Sequence, residues 1–139
     1  MLGYPIILKR DTNGQLMVRF PDIPEALSAG DDETHALAMG REAFITALDF
    51  YFDDRRLVPQ PSRPKRGQKV VFLPARVAAK MLLHNAMVEQ GVKKAELARR
   101  IGVAPPNIER LLNPRYASKI EPVEAALAAL GKRLVVETV

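Results

Sequence analysis

The chain has no cysteine. That excludes a disulfide framework and any thiolate metal site, and it fits a reducing cytoplasm. Histidine is scarce as well. His35 and His84 are the only two, each without a second histidine nearby to share a metal. No Ser/His/Asp set is suggested by spacing, and no glycine-rich phosphate loop appears. No apolar run approaches the roughly 20 residues that a membrane span requires. The opening "MLGYPIILKRD" lacks the basic start and small-residue cleavage site of a secretory signal, and reads as a strand. Neither a cofactor nor a metal is expected, and enzymatic function loses its usual candidates.

What remains is 139 residues of ordinary hydrophobicity, 47%, enough for one domain or two small ones. The net charge of +5 is unevenly placed. Residues 1–60 hold six Lys/Arg against ten Asp/Glu, a net of −4; residues 61–139 hold fifteen against six, a net of +9. A basic half suits a polyanion and an acidic half does not. The sign changes at "VPQPSRPKRGQK", where Pro59, Pro61 and Pro64 forbid helix and favour an extended path. Two modules follow, 1–58 and 68–139, with a basic, proline-rich linker at 59–67.

In the first module "YPIILK" and "LMVRF" are strand candidates, rich in branched and aromatic residues. Asn13-Gly14 between them signals a hairpin, since both residues tolerate positive φ. A short third strand is expected near Ala26–Ala29. Asp32 then caps a helix beginning at about Glu33. Leu37, Gly40, Phe44, Ala47, Leu48 and Tyr51 recur at helical spacing, with Gly40 permitting close approach to the sheet. Leu57-Val58 is a candidate last strand. The order β-β-β-α-(β) makes a small α+β layer pair.

The second module reads as a strand, "KVVFLP", and a helix over Ala75–Gln90 stopped by Gly91. A helix-turn-helix follows at Lys94–Asn113, then a helix over Pro122–Leu130 stopped by Gly131. The final "RLVVETV" is a strand candidate that needs backbone partners. Those are "KVVFL" of the same chain or a strand of a second copy, which would build a homodimer.

Within "ELARRIGVAPPNIERLLN", Ala98, Gly102 and Ile108 supply the small residue, the turn and the returning apolar contact that two crossing helices need. Leu97, Ile101, Val103 and Leu111 complete the shared core. A plain helical hairpin has the same core; the basic surroundings favour a DNA reader. With Ile108, Leu111 and Leu112 facing inward, Pro106, Arg110 and Asn113 lie on the opposite side, flanked by Asn107 and Glu109. Arg110 is the candidate for guanine contact. Lys93, Lys94, Arg115, Ser118 and Lys119 are candidate phosphate contacts. Pro105 and Pro106 fit a first helical turn but remove two amide donors, so base reading should rest on few side chains.

The carboxylates Asp11, Asp22, Glu25, Asp31 and Asp32 suggest a metal-dependent nuclease less well than solvated loop groups and a helix cap. Their other use is as an acidic patch for a basic protein.

The stretch "FPDIPEALSAGDD" followed by the amphipathic helix, together with "KAELARRIGVAPPNIERLLNPRYASKIEPVEAALAALGKRL", resembles HicB-type antitoxins. The matching branch carries a C-terminal phage-repressor-like helix-turn-helix. The resemblance covers nearly the whole chain. It implies a first module like a partial ribonuclease H fold without that enzyme's activity, followed by an all-α DNA-binding domain with flanking dimerising strands. It implies a partner, a HicA-type mRNA-cleaving toxin that is basic and seeks RNA, and repression of the chain's own operon through double-stranded operator DNA. Asp22, Glu25, Asp31 and Asp32, with Phe20 and Ile23 as apolar help, are the nearest candidates for toxin contact. A cytoplasmic homodimer is expected, or a tetramer if the first modules also pair. The rival reading is a transcription regulator whose first domain senses a ligand or only oligomerises, with no toxin partner.

Overall fold

A computed structural model describes residues 2–139. The fold is α+β, a four-stranded antiparallel sheet and, among the described residues, five helices. The strands are β1 (Gly3–Arg10), β2 (Leu16–Phe20), β3 (Ile23–Gly30) and β4 (Lys69–Phe72), in the order β3-β2-β1-β4. The helices are α1 (Glu33–Asp53), α2 (Ala75–Gln90), α3 (Lys94–Ile101), α4 (Pro105–Leu112) and α5 (Ile120–Ala129).

The chain divides into two compact units. The first runs to Phe50 and adds Val58–Leu73; the second is Tyr51–Leu57 with Pro74–Val139. In the first, β1 and β2 form the expected hairpin with Arg10 opposite Leu16. Its turn differs from expectation, because Gly14 takes positive φ (82°) and Asn13 does not. Asp11 closes the turn instead, its Oδ1 accepting from the backbone N–H of Asn13 at 2.8 Å and of Gln15 at 3.0 Å. A short polar side chain bonding two residues ahead stands in for backbone turn geometry.

The third strand is longer than Ala26–Ala29. It starts at Ile23 and includes Pro24. Proline has no N–H to give a ladder, and β3 is an edge strand, where one side of the backbone has no neighbour. Pro5 is accommodated in a related way. β1 pairs with β4 over Gly3–Ile6 and with β2 over Ile7–Arg10, so Pro5 opposes only Val70.

α1 lies on the face of the sheet that carries Tyr4, Val18 and Phe20. The Phe44 ring meets Tyr4 at 4.7 Å and Phe20 edge-on at 5.2 Å, favourable aromatic geometry in a buried cluster. Gly40 sits over Val18. A Cβ there would stand 3.0 and 3.1 Å from the valine methyls, so the close approach expected at this glycine is real. Asp32 caps the helix as expected, accepting from the His35 N–H at 2.8 Å.

Three expectations about strands fail. Leu57-Val58 forms no strand; Val58 is instead a buried side chain in the first unit. The "KVVFL" strand does not belong with the helices that follow it. As β4 it completes the first unit's sheet, with Tyr4 opposite Val71 and Pro5 opposite Val70. Its β-branched residues fit a pleated surface, and β1 offered the unpaired backbone it needed. The 59–67 segment is therefore a strap within the first unit, not a free linker. Tyr4 Oη donates to the Pro59 carbonyl at 2.7 Å, and Ser62 donates through N (2.9 Å) and Oγ (3.0 Å) to Asp22 Oδ2. The strand expected at "RLVVETV" does not form. The segment carries no secondary structure, and Val135, Val136 and Val139 are exposed.

The second unit is all helical. Ala79, Leu83, Ala86 and Met87 of α2 pack with Leu97 and Ala98 of α3, Ile108, Leu111 and Leu112 of α4, and Val123, Ala126 and Leu127 of α5. α5 begins at Ile120, two residues earlier than its proline suggested, so Pro122 sits within the first turn, where its missing N–H costs nothing.

Candidate functional site

The α3–α4 pair is built from local rules. α3 ends at Gly102, whose φ of 70° is left-handed and favours glycine. The N–H of Val103 returns to the Ala98 carbonyl at 3.0 Å. Three residues later α4 starts with Pro105 and Pro106 at its first two positions, and the Ala104 carbonyl accepts from Asn107 and Ile108. Ile108, Leu111 and Leu112 are buried while Pro106, Asn107, Glu109, Arg110 and Asn113 are exposed, the division expected from helical geometry.

The candidate contact residues are not equally available. Arg110 Nη1 donates to Asn107 Oδ1 at 3.2 Å, and its guanidinium lies 5.9 Å from the Tyr116 ring. Lys94 pairs with Glu109 at 2.9 Å across the two helices. Asn113 follows α4, and its Oδ1 accepts from the Arg115 N–H at 2.9 Å. Lys93 and Lys119 are exposed at the N-terminal ends of α3 and α5. Ser118 is half-buried, and its hydroxyl accepts a bond from Lys80 at 2.9 Å. Lys93 and Lys94 thus stand at the start of α3, Arg110 in the last turn of α4, and Arg115 and Lys119 in the loop leading to α5, a charge pattern suited to a phosphate backbone.

Lys80 escaped the sequence reading. It lies on α2 and is fully buried. Its Nζ donates to the carbonyls of Arg110 (3.1 Å), Asn113 (2.8 Å) and Tyr116 (2.8 Å) besides the Ser118 hydroxyl. A signal was present: Lys80 sits three residues after Val77 and four before His84, both buried, so it occupies the apolar stripe of its helix. Burial and the nearby Arg76 lower its pKa to about 8. His84 is also buried. It stacks on Phe52 at 4.2 Å, and its Nε2 is 2.7 Å from the Arg56 carbonyl. Burial pushes its pKa down, opposed by the Arg56 carbonyl and reinforced by Arg55.

In the first unit the acidic candidates have separate tasks. Asp22 holds Ser62, Asp32 caps α1, and Asp31 lies 3.7 Å from His35. Glu25 is exposed on β3. Among the described residues no three or more His, Cys, Asp or Glu converge as a metal would need. Phe20 and Ile23, expected to lend apolar contact, are core residues at 1% and 0% exposure, because the sheet turns them toward α1. The exposed apolar side chains of this sheet are Leu27 on β3 and Phe72 on β4. Glu25 and Leu27 are both exposed, on the stretch of β3 where its register against β2 shifts.

Residues 3–82 match a family model described as the HicB-like antitoxin of bacterial toxin-antitoxin systems. The chain belongs to the HicB-like antitoxin family. Among curated HicB relatives, Antitoxin HicB 2 of Photorhabdus laumondii is 47% identical over 133 residues, covering 96% of this chain and 94% of that one. Antitoxin HicB of Escherichia coli K12 is 43% identical, with 96% of each chain covered. Antitoxin HicB of Pseudomonas fluorescens is 45% identical over 122 residues, 87% of this chain and 84% of that one. The HicB family match ends inside α2, at residue 82, whereas the 133-residue alignments leave too few residues uncovered to omit α3–α4. An antitoxin role in a toxin–antitoxin system, with a toxin as partner, follows from this membership. No helix among the described residues is long and apolar enough to cross a membrane.

Proposed function

We propose that this antitoxin binds and silences a HicA-type mRNA-cleaving toxin through its first unit and represses its own operon through its second. The observation that carries the reading is near full-length similarity to HicB antitoxins in a chain whose second half is strongly basic. The first unit serves as a binding scaffold of the partial ribonuclease H kind, without catalysis. Its exposed Glu25, Asp31 and Asp32, with Leu27 in place of Phe20 and Ile23, form the contact surface for a cationic toxin.

The α3–α4 pair is a helix-turn-helix that lays α4 in the major groove. Arg110 reads a guanine edge, and Lys93, Lys94, Arg115 and Lys119 meet phosphates. Two copies bind one operator as a homodimer, with half-sites about one helical turn apart or a multiple of it. The exposed valines of the "RLVVETV" segment support pairing with a second copy. A tetramer forms if the first units also associate. RNA-cleaving toxin and operator are both cytoplasmic targets, so the antitoxin acts there.

Two experiments test the two halves. Co-expression with a small basic HicA-type toxin should rescue growth and yield a stable complex. Failure to recover such a complex would leave a regulator without a toxin. A duplex carrying the DNA upstream of the antitoxin's own frame should bind the full chain with a steep salt dependence. Equal affinity for a shuffled duplex would remove operator recognition.

A further inference from the structure

The second unit contains a buried cation that neither toxin neutralisation nor base reading uses. The last carbonyls of a helix lack the usual partner four residues on, and that of Arg110 keeps only a tightened bond from the Asn113 N–H at 3.2 Å, leaving room for a second donor. A residue of α2, thirty positions earlier, supplies that second donor. The Lys80 ammonium reaches the Arg110 carbonyl in the last turn of α4, the Asn113 carbonyl just after it, the Tyr116 carbonyl in the loop and the Ser118 hydroxyl before α5. The charge is favourably placed, because a helix C-terminus carries partial negative charge. Four oxygens within 3.1 Å surround an ammonium with three protons, so the cage is crowded with acceptors. Each carbonyl also accepts a backbone N–H, from Asn113 (3.2 Å), Tyr116 (3.1 Å) and Ser118 (2.9 Å), so the neutral amine, with two protons to donate, would loosen the side-chain tether while the loop's own turn bonds remain.

We propose that Lys80 is a positioning residue for the nucleic-acid interface. It ties the end of α4 to the Pro114–Ser118 loop and so fixes where Asn113, Arg115 and Lys119 stand relative to Arg110. The proposal rests on the DNA-binding reading above and adds a residue that itself touches no DNA. Three of the caged oxygens belong to Arg110, Asn113 and Ser118, which are themselves candidate contacts. Releasing the ammonium therefore removes the tie from α2 to the backbone of the contact set, leaving only the loop's own turn bonds, without removing a contacting side chain. The charged and titratable groups around the cage are Arg76 on α2, Arg110 on α4 and the Tyr116 phenol, whose ring lies 5.7 Å from Nζ. Lys119 and Glu121 at the start of α5 are exposed. With its pKa lowered to about 8, Lys80 loses its proton within reach of mild alkali, and the grip on the loop loosens with it.

The test uses the full chain, amide exchange, and two duplexes, the upstream DNA and a shuffled sequence of the same length. Lys80→Met keeps the stem and removes the donor. Exchange of the 113–119 amides should rise at least about tenfold, the equivalent of about 1.4 kcal/mol, while α3 amides keep their rates. Affinity for the upstream duplex should fall by a similar factor. In the unmodified chain affinity should decline as pH rises through about 8, and in Lys80→Met that decline should vanish. Ser118→Ala, which leaves the core intact if the methionine variant folds poorly, should move the decline to lower pH. A phosphate contact by Ser118 would instead lower affinity equally at every pH. Unchanged loop exchange and an unchanged pH profile in both variants overturn the positioning role. If the unmodified chain binds neither duplex at low salt, the DNA-binding reading fails and takes the interface role with it. The exchange rates then still judge the tether on its own.

Discussion

The two units solve the same problem, unpaired polar groups at the ends of elements, in opposite ways. In the first, carboxylates close to the need do the work. Asp11 closes its own hairpin and Asp32 caps the helix it precedes. Asp22 is the exception, reaching forty residues ahead to Ser62 and pinning the strap that leads into β4. In the second, the helices begin without side-chain caps, and the end of α4 adds to its own turn bonds one lysine from a distant helix. The contrast bears on function. A first unit whose acidic residues are partly committed to turns and caps has fewer of them to offer a partner than its net charge suggests. The second keeps most of its cations outside and brings one inside, where it acts on the backbone.

Truncating each core is the strongest way to probe this division. Phe44→Ala, which empties the contact between Tyr4 and Phe20, should cost about 3–5 kcal/mol, and Leu97→Ala about 2–5 kcal/mol. Urea unfolding followed by probes in each half should show whether each loss stays within its own unit; equal loosening of both by either variant would erase the distinction. Next in size is Arg110→Ala, expected to cost about 1–3 kcal/mol of operator affinity and to relax preference at one base position. Lys119→Ala should weaken all duplexes alike and reduce the salt slope. A specificity change from Lys119→Ala would reverse those roles. Asp22→Ala is smaller, about 0.5–1.5 kcal/mol of stability from two lost bonds to Ser62, read by denaturant midpoint. If toxin binding collapses while that midpoint holds, Asp22 belongs to the toxin surface after all.

The last contrast is in acid. Burial lowers the His84 pKa below its ordinary 6.5, so the unfolded chain takes up protons that the folded one refuses. Stability from this group is present above pH 6.5 and declines as pH falls through 6.5 toward the folded value. His84→Phe, which keeps a ring against Phe52, should remove that part of the decline in the second unit's unfolding curve.

Much of the fold was legible because it is local. Apolar spacing gave α1 and α2. The glycine after Ile101 and the prolines at 105–106 bracketed α3 and α4, and Gly40 announced a close approach. The exposed face of α4 followed from the same periodicity. Errors arose wherever a partner far along the chain made the choice. β4 was visible as a strand, but its place beside β1 depends on backbone that β2 leaves unpaired. Phe20 and Ile23 were expected to lend apolar help to the acidic residues beside them in sequence, yet strand alternation and the β2–β3 register shift turn both inward.

By itself, the order of residues determined which segments are helical or extended, where they stop, and the opposed charge of the two halves. Those properties depend on neighbours a few positions apart. Tertiary structure alone decided that the proline strap and its strand finish the first sheet, and that Lys80 is an internal ligand for the end of α4. Both require groups thirty or more residues apart to meet, and only the folded chain brings a buried charge to the carbonyls that make its burial tolerable.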